Sequence, residues 1–220
     1  MSQCKLPLTL MANRFRGSVV KRGSYHHGDL RAALVDAALA LIAERGVAAL
    51  SVAEAARRTG VSAAAPYRHF PTRQALLKAA AIRAAEILAA ELRAALAHDS
   101  ANDPREALAI TAGVYVRFVV HHHCGFDLIF ADQLQNLGDP DLGAAGRAVM
   151  DILLPIALDI AGGDAHAALA LLEKHIAAAH GYAVLYLSGF LHRRGTEVDD
   201  IAAGAAEASW LLAAAQGKTS

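Results

Sequence analysis

Hydroxyl, phenol, imidazole and guanidinium groups crowd one short stretch of this chain. Ser51, Thr59 and Ser62 stand at the ends of two short helical patterns, and Tyr67, Arg68, His69 and Arg73 follow closely. Such groups at helix ends suit phosphate oxygens. The chain shows no nucleophile elbow, phosphate loop, paired-carboxylate site or metal-protease motif, so the chemistry on offer is recognition. An enzyme is not expected, and neither is a cofactor.

His121-His122-His123-Cys124 is the second cluster with chemical potential. Adjacent residues on a helix point to different faces, so all four cannot hold one ion there. At a helix end, two imidazoles and the thiol could converge, together with His180, on zinc, nickel or copper. Polar ligand contact or plain surface are the other readings.

The elements that must position these groups are helical. Alanine, the best helix former, occurs 52 times, and aromatic residues are only 5% of the 220 residues. At 55% hydrophobic and 19% charged, the chain has ample material for a core. The expectation is an all-α protein of about nine helices. Leu30, Leu34, Ala38, Leu41 and Ile42 mark a first helix over 29–45, stopped by Gly46. Ser51-Val-Ala-Glu54 reads as a capping box opening a short helix to Thr59. Thr59-Gly60-Val61 then turns into a third short helix over 62–70, the outline of a helix-turn-helix. Thr72 caps a fourth helix reaching to about 97. Five more follow, over roughly 105–121, 125–134, 141–161, 164–189 and 198–215. Pro155 is expected to kink the seventh.

Charge divides the chain. Residues 1–78 carry twelve Lys and Arg against four acids, net +8, and 79–220 are net −8, so the overall zero conceals a basic front. A basic segment joined to an acidic body suggests a polyanion partner, and nucleic acid is the usual one. Residues 1–24 lack helical period and read as a flexible basic arm, with either Met1 or Met11 as the true start. Two cysteines make no disulfide framework. The longest apolar stretch, 176–191, is broken by His180, Gly181, Ser188 and Gly189, so no membrane span is expected. The start is too short and wrongly flanked for a secretory signal. These features place the protein in the cytoplasm, at the nucleoid when bound to DNA.

The segment from Leu30 to Ala81 resembles the tetracycline-repressor family of bacterial transcriptional regulators. The match rests on Gly46, Ser51, Thr59-Gly60-Val61-Ser62, Tyr67-Arg68-His69-Phe70 and Thr72-Arg73, in order and spacing. Tyr25-His-His-Gly-Asp-Leu-Arg31 resembles one branch of it. Ala179-His180-Gly181 and the segment 115–130 resemble the subtype with a Trp-His-Gly C-terminal domain, with Ala179 in place of Trp.

The resemblance implies three parts: the arm, a helix-turn-helix domain over 25–72, and a ligand-binding and dimerisation domain over 73–220. It implies a homodimer on a palindromic double-stranded DNA operator, released by a small, largely apolar effector. An activator of the same fold, or a metal-responsive regulator using His121–Cys124, are the alternatives. Ser51, Thr59, Ser62, Tyr67, His69 and Arg73 are expected at the DNA. Ala63, Ala64 and Ala65 occupy the reading turn, where methyl groups meet thymine methyls, and Arg68 suits guanine. Arg16, Lys21 and Arg22 would enter the minor groove. Tyr115, Phe118, His122, Phe126, Phe130, Met150 and Tyr182 are the expected pocket. Apolar residues at this spacing also serve simply as core. Leu171, His175, Ala178, Tyr182, Leu185, Tyr186, Ala205, Ala208, Leu211 and Leu212 are the expected dimer interface.

Overall fold

The structure is a computed structural model, and it describes residues 27–62, 64–98, 103–124, 126–129, 139–191 and 195–216. The basic arm with Arg16, Lys21 and Arg22 lies outside the described residues, as do Ala63 and Phe130. Every regular element described is helical. In chain order these are α1 (His27–Arg45), α2 (Val52–Thr59), α3 (Arg73–His98), α4 (Pro104–His122), α5 (Phe126–Ile129), α6 (Pro140–Ile160), α7 (Ala165–Leu187) and α8 (Val198–Gln216). Phe126 is placed only as a residue of α5.

Short polar caps set the helix starts. Ser51 Oγ accepts from the Glu54 amide at 3.0 Å. The box is only half made, because the Glu54 carboxylate turns to Arg57 and not back to the cap. Asp103, Asp139 and Asp164 cap α4, α6 and α7 through their carboxylates. Pro104 and Pro140 occupy first-turn positions, where a missing amide proton costs nothing. Helix α6 runs through Pro155.

The third short helix differs from expectation. Residues 65–68 form a single 3-10 turn, with Pro66 buried inside it. The Pro66 ring removes one amide donor at the position where an α-helical ladder would begin. Its carbonyl instead takes the amides of His69 and Phe70, at 2.9 and 2.8 Å.

One apolar core runs through both ends of the molecule. Leu34, Ala38, Leu41 and Ile42 of α1 meet Leu50, Ala55, Phe70 and the first turns of α3. Farther along, Leu88 and Leu92 of α3 join the core made by α4, α6, α7 and α8. At 26 residues α3 is about 39 Å long, and it contributes to both regions. Lys78 of α3 holds Asp139, the cap of α6, at 2.6 Å. That ion pair holds the Asp139 carboxyl below its usual range, with the Leu142 amide contributing. Helices α4 and α8 approach closely because small residues face each other: Gly113 lies against the Ala202 carbonyl. Among the described residues, no helix is long and apolar enough to cross a membrane.

Candidate functional site

The turn between α2 and the 3-10 segment depends on Gly60. Its φ of 71° and ψ of 21° are left-handed, and its amide returns to the carbonyls of α2. Val61 N adds a bond to Ala56 O at 3.2 Å. Glycine enters this region without the Cβ clash that L-residues suffer. The turn delivers Ser62 and Ala64 to the surface, Ala65 to a half-buried position, and Tyr67 and Arg68 outward. Tyr67 is 49% exposed. Beneath them Phe70 is buried, and the Arg31 guanidinium lies 5.4 Å from its ring centre. Leu30, Ser62, Ala64, Ala65, Arg68 and His69 line an open groove of about 290 Å³.

Most guanidinium groups of this head are already engaged. Arg57 grips Glu54 with two bonds, at 2.8 and 2.7 Å, and holds its pKa down to about 2. Arg58 grips Glu44 in the same bidentate way and lowers its pKa. Arg45 lies 3.7 Å from Glu54. Arg73, expected at the DNA backbone, donates to the carbonyls of Leu50 at 3.0 Å and Val47 at 2.6 Å. It ties the start of α3 to the loop before α2. Arg68 is exposed. Among the described residues from 44 to 73 it is the guanidinium for which no ion pair or hydrogen bond is found. Thr59 turns its hydroxyl back onto the Ala55 and Ala56 carbonyls, which leaves its proton committed to α2. Ser51 uses a lone pair on the Glu54 amide and keeps its own proton to donate.

Behind the head, α3, α4, α6 and α7 enclose a narrow cavity. Leu88, Leu92, Thr111, Tyr115, Val149, Leu153, His175, Ile176 and Ala179 line it. Its volume is about 10 Å³, roughly the room of one water. Of the expected pocket residues, Tyr115 is there. Phe118 is 1% exposed and continues the same stripe of α4 beyond the cavity, against the His122 ring at 4.9 Å. His122 lies 3.6 Å from Glu91. Met150 packs half-buried against the core. Tyr182 lies over Gly204 of α8, which has no side chain to exclude it.

A buried polar row runs from this cavity across the domain. Thr111 Oγ donates to Leu108 O at 2.7 Å and lies 3.3 Å from His175 Nε2. His175 Nδ1 lies 2.6 Å from Ser209 Oγ. With the Thr111 proton on a carbonyl, Thr111 accepts, Nε2 carries the hydrogen and Ser209 donates to Nδ1 at 2.6 Å rather than to the Leu108 carbonyl 3.4 Å away. Burial pushes the His175 pKa down to about 4, so the ring is neutral. Nearby, the Tyr115 hydroxyl and His180 Nδ1 are 2.8 Å apart. Sequence reasoning had named neither Thr111 nor Ser209.

The outer faces of α7 and α8 carry the largest set of exposed apolar side chains. Leu169, Val184, Leu185 and Leu187 of α7, then Phe190, and Trp210 and Leu211 of α8, are each at least 38% exposed. Leu185 and Leu211 were expected there. Ala178, Tyr182, Tyr186, Ala208 and Leu212 are half-buried at its margins. Leu171, His175 and Ala205 are buried within the protomer.

In the histidine cluster the His121 and His122 rings meet edge to face, 4.9 Å apart. His121 and His123 are exposed, His123 sits in a left-handed cap with φ 48°, and Cys124 is buried. Among the described residues, no three potential metal ligands come together.

Comparison with known proteins follows the same division. Residues 34–80 match the model described as bacterial regulatory proteins, tetR family. Residues 108–208 match that described as tetracyclin repressor-like, C-terminal domain. Comparison with curated proteins gives no match. A Rhodococcus sp. RHA1 protein of unknown function is 32% identical, covering 85% of this chain and 96% of that one, with a TM-score of 0.69. The fatty acid degradation regulator FadR from Bacillus halodurans is 15% identical, with coverages of 86% and 96% and a TM-score of 0.63. A Saccharomonospora viridis protein solved in complex with choline is 21% identical, with coverages of 82% and 95% and a TM-score of 0.59.

Proposed function

Since the chain belongs to the tetR family of bacterial regulatory proteins, and is therefore a DNA-binding transcriptional regulator and not an enzyme, we propose that it is a ligand-responsive repressor. It acts as a homodimer on a palindromic operator. The observation that carries this reading is α3, whose first turns are packed into the head and whose Leu88 and Leu92 wall the cavity. A ligand that widens the cavity must move those leucines, and with them the base of the head.

The exposed face of α7 and α8, from Leu169 to Leu211, supports pairing with a second copy in a four-helix arrangement. Pairing sets two heads at half-sites roughly 34–36 Å apart. Ser51, Tyr67 and His69 suit phosphates, Arg68 a guanine, and the Ala64 and Ala65 methyls thymine. Within the family we assign the C-terminal domain to the Trp-His-Gly subtype. His180 and Gly181 support this, with Ala179 buried where the Trp would stand.

The test is a gel shift with DNA from upstream of the protein's own gene, followed by release with a small-molecule library. Binding above random DNA, reversed by at least one compound, is the expected result. Specific binding that no compound reverses would refute ligand control.

A further inference from the structure

The cavity's wall chemistry narrows what can enter it, granted that the protein is ligand-responsive. We propose that the effector is an uncharged amphiphile. Its aliphatic body lies between Leu88, Leu92, Val149 and Leu153, and a single hydroxyl or carbonyl head accepts a hydrogen bond from Thr111, beside the His175 ring.

The walls argue first. Among the described lining residues there is no Lys, Arg, Asp or Glu. A carboxylate head would want a guanidinium or ammonium partner, and a quaternary ammonium would want a carboxylate or several aromatic faces. Tyr115 is the one aromatic residue on the lining. An ion entering here would lose its hydration without replacement.

The polar row argues next. Thr111 and His175 are 1% and 3% exposed, and both ring nitrogens of His175 are bonded in its neutral form. Thr111 donates to the Leu108 carbonyl, an acceptor that the α4 ladder already uses. Rotating that hydroxyl toward a ligand oxygen therefore abandons a secondary bond and leaves no donor stranded. His175 Nε2–H continues to donate to Thr111. One neutral oxygen is what this row can accept without rearranging its protons.

The cavity is closed to about 10 Å³, so the body enters by parting aliphatic walls. Each added methylene should then tighten binding about fourfold until the walls stop yielding. Ser209, at the far end of the row, precedes Trp210, the single tryptophan of the chain. Its emission gives an optical readout one residue along the chain from the row.

The experiment uses the full chain and three probe series: n-alkan-1-ols from hexanol to decanol, the matching n-alkanoates, and the matching n-alkyltrimethylammonium ions, all below their micelle concentrations. Binding is read by Trp210 fluorescence and thermal shift. The expected result is saturable alcohol binding that tightens about fourfold per methylene, with both ionic series at least 30-fold weaker. Thr111→Val should erase most of the preference for alcohols over ions. Ala179→Leu, which fills the cavity, should weaken every alcohol at least tenfold. Equal or tighter binding of either ionic series overturns the proposal, as does wild-type alcohol binding in both variants. Failure of all three series overturns it too. If another compound nonetheless frees the DNA, ligand control stands and only the effector class falls.

Discussion

Acidification tests the buried row directly. His175 is held neutral, with its pKa lowered to about 4 by burial, against about 6.5 in an unfolded chain. The unfolded state therefore binds the extra proton first as pH falls. Stability from this group is complete above about pH 7 and is lost progressively from about pH 6.5 down to pH 4. Linkage gives a loss of about 1.2 kcal/mol by pH 5.5 and about 1.8 kcal/mol by pH 5, both relative to pH 7. Glu44, Glu54 and Asp139 have lowered pKa values and would also lose stability in acid. Their losses begin only as pH approaches the ordinary carboxylate range, near 4 to 4.5, so pH 7 to 5.5 is largely clear of these three carboxylates. His175→Gln keeps a donor and an acceptor but cannot titrate. Urea melts of both proteins at pH 7.0, 6.0 and 5.5 should show stability falling over that range in the wild type by about 1.2 kcal/mol more than in the variant. Parallel falls would refute the neutral, fully bonded imidazole.

Arg68→Ala should weaken operator binding by about 1–3 kcal/mol in fluorescence anisotropy, whereas Arg57→Ala, whose guanidinium Glu54 already holds, should change it several-fold less; the reverse order would refute the reading of the head. Gly60→Ala should cost about 1 kcal/mol in thermal melts, because a Cβ there meets nothing within 4 Å and only backbone strain remains. Leu211→Arg, at a 56% exposed position, should give monomers in analytical ultracentrifugation with helicity retained; an unchanged dimer would exclude this face.

How far the sequence can be read depends on how local the determining contacts are. Helices α1 and α2 and the Gly60 turn were legible because caps, glycine and period act within a few residues: Ser51 on Glu54, Gly60 on α2. The 3-10 turn was missed because Ser62 to Phe70 has helical spacing while Pro66 withholds one amide. The cavity was not legible. Leu88, Thr111, Val149 and His175 meet from four helices, and no periodicity encodes which faces converge. On α7 and α8 both faces are apolar, so Leu171 and His175 looked as suitable for a partner as Leu169 and Val184. Total burial within the chain decides between them. Arg73 shows the same limit at the head: nothing local to a cation at a helix start tells that the Leu50 and Val47 carbonyls lie within its reach.

The central claim is a paired regulator that grips a specific duplex through two heads. Footprinting the full chain on its own upstream region at physiological salt, with sedimentation of the complex, tests it most directly. The account predicts two protected half-sites about one helical turn apart, two chains per site, and a preference over random DNA of about 10³ or more. A single chain per site, or equal affinity for random DNA, would contradict it.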